Sequence, residues 1–242
     1  MIYKVDFAGK TVRYRLRDPA VRIEFGRYME PSEGTDCDVY ATDERMERMR
    51  PYMPPGISDY YVEFRALMGE TSLELIKHGR CLFHAAAFLY RGRAWLLTGP
   101  SGIGKTTQFR NWQRLFPGET QIICGDMPVL ETCEDGTVRV HSSPWNGKER
   151  FGEPGVSGRL ACIVRLVQSD EDEFLPLSPA DAVMPLFSQF AVRPETGRQI
   201  ELLAGFADKV LSAVPCVVYN NRGDDGSTLK LREMFNGILE RE

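Results

Sequence analysis

Residues 93–116 read RAWLLTGPSGIGKTTQFRNWQRLF, and the order of apolar, glycine-rich and amphipathic segments in this stretch decides the fold. The apolar run 93–98 predicts a buried strand, and the spacing of apolar residues in 106–116 predicts a helix. The intervening residues 99–107 match the pattern G-x-x-x-x-G-K-[ST]. In this strand–loop–helix order, phosphate groups lie at the N-terminus of the helix, where the dipole favours anions. The stretch therefore predicts a site for a nucleotide. The apolar face of the predicted helix consists of Phe109, Trp112, Leu115 and Phe116.

The residue types of this loop each suit a ligand with a row of phosphates. Glycine allows the backbone to curl with positive φ and to approach the ligand closely, and the curled N–H groups form a concave anion site. Lys105 provides a positive charge for the β- and γ-phosphate oxygens, and the hydroxyl of Thr106 is suited to Mg²⁺. We expect nucleotide contacts from Gly99, Ser101, Gly102, Ile103, Gly104, Lys105, Thr106 and Thr107.

The segments before the loop distinguish this chain from the common doubly wound nucleotide-binding proteins. Two apolar strands, 82–90 and 93–98, are separated only by Arg91-Gly92. Because two residues suffice only for a tight hairpin, these strands should be antiparallel. A helix beginning after the N-cap Ser58 precedes them. In the doubly wound fold the phosphate loop follows the first strand near the N-terminus, so we instead predict an α/β (α+β) fold with a mixed sheet.

The N-terminal part of the sequence predicts a small β-rich region. Residues 11–16 and 21–25 alternate polar and apolar side chains, as half-buried antiparallel strands do. Residues 51–56 contain three prolines and a glycine, which favours a boundary there. We predict an N-terminal region over 1–56 and a nucleotide-binding core over 57–242. The residues leave open whether the N-terminal region is a structural cap or recognises a partner or substrate.

Composition and charge restrict the environment and the partners. With 43% hydrophobic and 26% charged residues, the chain of 242 residues has the composition of a soluble globular protein. A net charge of −4 provides no general attraction to nucleic acid or to an anionic membrane. The sequence contains neither an apolar run of about 18 residues nor a signal-peptide pattern at its start. The six cysteines form no C-x-x-C pair, so we expect neither disulfides nor a zinc site. Free cysteines are typical of a reducing compartment, so we expect a cytoplasmic protein. Homo-oligomerisation stays open.

Asp126 and His84 are the main candidates for catalysis. Asp126 follows the predicted strand 121–124, at the edge of the sheet where the ends of the strands face a ligand. A carboxylate there can hold Mg²⁺ or accept a proton from a hydroxyl group. His84 opens the strand that pairs with the strand before the loop, where it could assist proton transfer. The alternatives are a turn aspartate and a structural histidine.

The polar segment 144–149 is a second source of candidate site residues. Lys148 could contact the transferred phosphate, and Glu149 could complete a Mg²⁺ site with Thr106 and Asp126. Trp145 could stack on a base or cover the substrate. The alternative is a mobile surface loop. The acidic run 169–173 is interpreted as a solvated face and not as a metal site.

The order of motifs between His84 and Asp126 resembles the C-terminal catalytic domain of HPr kinase/phosphorylase and its relatives. That superfamily shares a phosphate-loop fold with phosphoenolpyruvate carboxykinase, and the resemblance covers roughly residues 80–220. It implies an ATP·Mg²⁺-dependent transfer of phosphate to the serine hydroxyl of a protein, a peptide or a small molecule. In that reaction Thr106 binds Mg²⁺ and Asp126 is the base, assisted by His84, with Lys105 among the catalytic residues. The resemblance rests on His84, Phe88, Leu96 to Thr106, and Gly125-Asp126.

Two other functions remain open from the sequence. The family has two consecutive acidic residues where this chain has Asp126-Met127, which is compatible with a protein that binds ATP without phosphotransfer, in a regulatory or scaffold role. A phosphate-loop ATPase that needs no acceptor is the other alternative. An ABC-type ATPase is disfavoured because the sequence contains no L-S-G-G-Q segment.

Overall fold

The computed structural model describes residues 2–29 and 34–241, where two β-sheets are flanked by helices. A three-stranded sheet is formed near the N-terminus. A larger sheet with parallel and antiparallel pairs carries the loop 99–107, which we call the phosphate loop. The predicted α/β fold with a mixed sheet is therefore confirmed. The strands are β1 (Ile2–Asp6), β2 (Thr11–Arg15), β3 (Cys37–Val39), β4 (Arg80–Leu82), β5 (Ala85–Tyr90), β6 (Arg93–Thr98), β7 (Thr120–Cys124), β8 (Val129–Thr132), β9 (Val138–His141), β10 (Ser157–Gln168), β11 (Glu173–Leu177) and β12 (Cys216–Asn221).

The helices differ greatly in length. The helix predicted after Ser58 is formed, with Ser58 at the N-cap, and the helix after the phosphate loop begins at Lys105. In the described part of the chain, no helix combines the length and the apolar character that crossing a membrane requires. The helices are α1 (Val21–Phe25), α2 (Asp43–Met49), α3 (Asp59–Leu75), α4 (Lys105–Leu115), α5 (Pro179–Phe187), α6 (Gly197–Ala213) and α7 (Asp225–Leu239).

The topology of the larger sheet brings the phosphate loop and Asp126 to the same edge. β5 and β6 form the predicted antiparallel hairpin through Arg91-Gly92, and β7 pairs antiparallel with the other side of β5. β6 and β7 therefore run in the same direction, and Thr98 and Cys124 end them on the same side. The phosphate loop follows Thr98, and Asp126 lies two residues beyond Cys124.

The predicted continuous strand 82–90 is wrong, because the chain changes partners at Phe83 and His84. β4 pairs with β8, whereas β5 pairs with β6 and β7. Between them the backbone N–H of His84 donates to the Gln189 carbonyl (2.7 Å), and the Thr98 hydroxyl donates to the His84 carbonyl (2.6 Å). His84 is thus held at a break in the sheet, at the edge that carries the phosphate loop.

The strand predicted over residues 21–25 is also wrong, because these residues form helix α1. A helix places Val21 and Phe25, four residues apart, on one face, and both are buried. Ile23, which the alternating pattern assigned to the core, is 68% exposed. In a segment of only five residues, the periodicities of strand and helix are hard to tell apart.

The apolar core of the N-terminal region is shared with α3. Side chains from β1, β2 and α1 pack with Phe64 and Leu67 of α3 and with Trp145 from the 142–156 segment. The division of the chain at residue 56 stays a prediction, and the two sides of that division share this core. The N-terminal region is thereby placed beside the segment that follows β9.

The acidic run 169–173 was predicted to be a solvated face, and for Asp172 this is wrong. The Asp172 side chain is inaccessible to solvent and accepts hydrogen bonds from the hydroxyls of Ser227 (2.6 Å) and Tyr219 (3.2 Å). The backbone N–H of Arg222 also donates to it (3.2 Å). Burial by itself raises the pKa of Asp172, but these hydrogen bonds outweigh it and lower the pKa to about 2. The carboxylate joins the β10–β11 turn to β12 and α7.

Candidate active site

A cleft with a volume of about 1340 Å³ opens at the edge where β6 and β7 end. It brings together residues from the phosphate loop, from the break before β5, and from the 142–156 segment. Gly99 and Ile103 belong to the predicted set but do not line the cleft. The predicted residues that line it are His84, Ser101, Gly102, Gly104, Lys105, Thr106, Thr107, Asp126, Lys148 and Glu149.

The phosphate loop has a backbone conformation that depends on glycine. Gly99 has φ of 137°, and a Cβ added there would lie 3.1 Å from the Leu166 carbonyl oxygen. Gly104 has φ of 108° and is the N-cap of α4, where no side chain caps the helix. The first N–H groups of an α-helix lack partners within the helix and are well suited to an anion. Lys105, Thr106 and Thr107 of the first turn line the cleft, so the N-terminus of α4 faces it without a capping side chain.

Lys105 is held within the loop by main-chain oxygens. Its side chain is buried, and Nζ donates to the carbonyls of Gly99 (2.9 Å) and Pro100 (3.2 Å). Burial lowers the pKa of the Lys105 ammonium, and the nearby carboxylate of Asp126 partly opposes this shift. An ammonium group held this way is positioned at the wall of the cleft, where phosphate oxygens can replace the carbonyls as acceptors.

Asp126 and His84 lie side by side in the cleft. His84 Nε2 is 3.4 Å from Asp126 Oδ1, and both side chains are partly exposed to the cleft. The main chain fixes the pair, because the Ala85 N–H donates to the Asp126 carbonyl at 2.9 Å. A carboxylate in contact with an imidazole can accept a proton from a hydroxyl group or ligate a divalent cation.

Gln189 is a site residue that the sequence did not indicate. Its side-chain oxygen lies 3.2 Å from His84 Nδ1, and its carbonyl accepts from the His84 N–H. These two contacts fix the orientation of the imidazole ring, with Nδ1 toward Gln189 and Nε2 toward Asp126. Gln189 follows α5 and lies 105 residues away from His84 along the chain. No local pattern in the sequence marks it.

Trp145 does not have the predicted role of stacking on a base or covering the substrate. It is 2% exposed, and its ring packs against Phe7, Phe25 and Phe64 in the core shared by the N-terminal region and α3. Its indole N–H donates to the Phe64 carbonyl at 3.1 Å. The polar neighbours of Trp145 suggested an exposed loop, but the tryptophan anchors that loop to the core.

Lys148 and Glu149 lie at the exposed end of the same loop. Both line the cleft, and Glu149 Oε1 is 3.5 Å from the Arg110 guanidinium on α4. Gly147 lies between the side chains of Asp126 and Glu149. A Cβ added to Gly147 would lie 3.3 Å from Asp126 Cβ and 4.0 Å from Glu149 Oε2. The loop therefore brings a second carboxylate close to Asp126 across a residue without a side chain.

The oxygen atoms of this cleft are of the type that Mg²⁺ prefers. Mg²⁺ is generally bound through one or two carboxylates together with phosphate oxygens and water. Asp126, Glu149 and the hydroxyl of Thr106 line the cleft beside the phosphate loop, so the residues present fit a Mg²⁺–phosphate complex. Among the residues that the structure describes, no three His, Cys, Asp or Glu side chains are grouped to hold a metal ion.

One similar solved structure is a kinase/phosphatase. The Hpr(Ser) kinase/phosphatase from Coxiella burnetii is similar in fold with a TM-score of 0.40 and 14% sequence identity, over 66% of this chain and 97% of that chain. No protein-family model matches the sequence, and no curated protein matches it. The similarity is distant.

Proposed function

We propose that this chain is an ATP·Mg²⁺-dependent kinase that transfers the γ-phosphate to a serine hydroxyl of a protein, a peptide or a small molecule. The proposal rests above all on the contact between Asp126 and His84 in the cleft that also contains the phosphate loop. A phosphate loop alone favours nucleotide binding of any kind. A carboxylate beside it supplies the proton acceptor that transfer to a hydroxyl group needs.

In this proposal the loop holds the donor. The N–H groups at the start of α4 and the ammonium of Lys105 bind the phosphates, after Lys105 exchanges the Gly99 and Pro100 carbonyls for phosphate oxygens. Thr106 and Asp126 would hold Mg²⁺ together with the phosphates, and the ion would supply positive charge against the phosphate oxygens. Lys148 provides a further positive charge at the exposed rim of the cleft.

Asp126 and His84 act on the acceptor. The serine oxygen forms a bond to the γ-phosphorus, the bond to the β-phosphate oxygen breaks, and ADP leaves. Asp126 takes the proton of the hydroxyl group, and His84, held through Nδ1 by Gln189, orients the carboxylate. General base catalysis of this kind contributes roughly 10²–10⁴-fold to a rate.

The experiment that tests this function supplies donor and acceptor together. The purified protein is incubated with γ-labelled ATP and Mg²⁺, and with free serine, serine peptides and fractionated cell extract in separate reactions. We expect label on a serine hydroxyl in at least one of them. ATP binding without a labelled product would support the scaffold alternative, and fast release of labelled phosphate without an acceptor would support an ATPase.

A further inference from the structure

The cleft continues well beyond the phosphate loop. Pockets for one small ligand commonly have volumes of about 300–1,000 Å³, and this cleft has about 1340 Å³. Its part away from the loop lies between α3 and the segments 49–57 and 187–193. We call this part the distal half. It has room for a second ligand beside a nucleotide.

Helix α3 turns one face toward the distal half. Tyr61, Arg65 and Gly69 are spaced four residues apart, so they lie on one side of the helix, and all three line the cleft. Met53 and Ile57 add apolar surface from the segment before α3. The walls thus combine apolar and aromatic side chains with three arginines, Arg45, Arg65 and Arg193.

Gly69 leaves space in this wall. It lies in the interior of α3, where glycine is less favourable than alanine. A Cβ added to Gly69 would have no neighbouring atom within 4 Å from elsewhere in the structure. The missing side chain therefore opens the distal half and is not needed for close packing of the protein against itself.

Within the described residues, the Arg65 side chain has no counter-ion. It is partly buried and makes neither a hydrogen bond nor an ion pair with the part of the chain that the structure describes. By contrast, Arg45 in the same wall pairs with Glu70 and with Glu195. Across the cleft, the Arg193 guanidinium lies 4.6 Å from the centre of the Tyr52 ring. Because a guanidinium that is partly removed from water favours an anionic partner, Arg65 marks an anion subsite.

Ion pairs link two walls of the distal half. Arg45 and Arg48 of α2 pair with Glu195 in the segment that follows α5. Because these two walls are held together, the distal half accommodates a small molecule more readily than a folded protein partner.

We propose that the distal half binds the phosphate acceptor, and that this acceptor is a small molecule with a carboxylate beside an apolar or aromatic group. Arg65 binds the carboxylate, and the apolar group lies over Gly69, one helical turn further along α3. That this ligand receives the phosphate rests on the kinase function proposed above, whereas its binding to the distal half does not depend on catalysis. The N-terminal region contributes to this site through Met49 and Tyr52.

A binding experiment tests the site without any phosphotransfer. Phenylpropionate and its uncharged amide are titrated into the intact protein by ligand-observed NMR, with a blocked serine peptide containing phenylalanine and aspartate as the third probe. We expect phenylpropionate to bind about tenfold more tightly than the amide, since the amide lacks the charge. In Arg65→Gln this preference disappears, and in Gly69→Leu both small probes bind at least about tenfold more weakly.

Matched variants and ATP binding control this experiment. Arg198→Gln and Gly205→Leu change an exposed arginine and an exposed helical glycine of α6 that lie outside the cleft, and they should leave binding unchanged. ATP affinity should be unchanged in all four variants. The proposal is wrong if phenylpropionate does not bind, if Arg65→Gln binds it as tightly as the parent protein, or if only the peptide binds. The proposal is also wrong if Gly69→Leu weakens ATP binding, because the distal half would then bind the adenine ring of ATP. Binding of phenylpropionate without label transfer to any acceptor would contradict the kinase function alone.

Discussion

Lys105 has a buried ammonium group whose hydrogen-bond acceptors in the structure are two carbonyls of its own loop. In the proposed function such a group is positioned for phosphate before a nucleotide binds, because the loop and not the ligand fixes its location. Replacing the lysine removes the charge while a methionine keeps a side chain of similar length. The consequence should therefore appear in nucleotide binding and not in folding.

We predict that Lys105→Met weakens ATP binding by about 10- to 100-fold, the usual effect of losing a charge-assisted hydrogen bond. Isothermal titration calorimetry measures the affinity, and circular dichroism checks that the fold is retained. Lys209→Met, which changes an exposed lysine of α6, is the matched control. Unchanged ATP affinity in folded Lys105→Met would show that the loop does not bind the phosphates.

Asp172 gives a prediction about stability and pH. The folded protein lowers the pKa of this carboxyl from 3.8 to about 2, so its stabilising effect is fully present above the unfolded pKa and is lost as pH falls through about 2. Asp172→Asn should lower the free energy of unfolding by about 2–4 kcal/mol at neutral pH, because a buried, hydrogen-bonded charge is removed. Urea unfolding from pH 7 to pH 2 measures the difference, which should shrink toward the acid end. Asp170→Asn, an exposed residue of the same turn, should have little effect. If the difference in the free energy of unfolding between the parent protein and Asp172→Asn stayed constant with pH, it would contradict a lowered pKa of Asp172 in the folded protein.

At the scale of elements, the 142–156 segment is anchored in the core by Trp145 and lines the cleft with Lys148 and Glu149. The carbonyl of Trp145 accepts from the Met127 N–H at 2.9 Å, directly beside Asp126. Ion pairs of Arg150 with Glu24 and of Glu153 with Arg27 join the segment to the N-terminal region. A Cβ added to Gly125 would lie only 2.7 Å from the Asn146 carbonyl oxygen, so the two chains approach closely.

We predict that Trp145→Ala lowers the free energy of unfolding by about 3–5 kcal/mol, as expected for a large buried ring. It should also reduce phosphotransfer, because the segment that holds Glu149 and borders Asp126 loses its anchor. Chemical denaturation and the labelled-ATP assay measure the two effects. Trp145→Phe keeps an aromatic ring and loses only the hydrogen bond to Phe64, so its effects should be smaller. Equal stability of Trp145→Ala and the parent protein would contradict the anchoring role.

At the scale of the whole molecule, the predicted N-terminal region and the predicted nucleotide-binding core share one apolar cluster. Because side chains from β1, β2, α1, α3 and the 142–156 segment are buried together, separating them would expose this surface to water. We predict a single cooperative unfolding transition, with circular dichroism and tryptophan fluorescence giving the same midpoint. Two resolved transitions, with the N-terminal region unfolding first, would contradict this prediction.

The parts of the fold that the sequence predicted are those encoded by neighbouring residues. The strand, loop and helix around Lys105 and the hairpin at Arg91-Gly92 follow from glycine spacing and apolar periodicity, which act over a few residues. The position of Asp126 at the end of β7 follows from the same local pattern. Where the segment was short, as at Val21–Phe25, strand and helix could not be told apart.

The parts that the sequence did not predict depend on contacts between distant residues. Gln189 reaches His84 from 105 positions away, and nothing in its own neighbourhood marks it. Trp145 is surrounded by polar residues in the sequence, and its burial depends on a cavity formed by the N-terminal region. Arg65 and Gly69 read as ordinary positions of an amphipathic helix until the opposite wall of the cleft is known.

The measurement that bears most directly on the proposed kinase is phosphotransfer by Asp126→Asn. The assay uses an acceptor fraction that the parent protein labels from γ-labelled ATP. We predict that Asp126→Asn transfers phosphate to this fraction at least about 100-fold more slowly than the parent protein. Its ATP affinity, measured without Mg²⁺, should stay within about threefold of the parent value, and Asp208→Asn on α6 should match the parent in both. Full phosphotransfer by Asp126→Asn with intact ATP binding would contradict the assignment of Asp126 as the base.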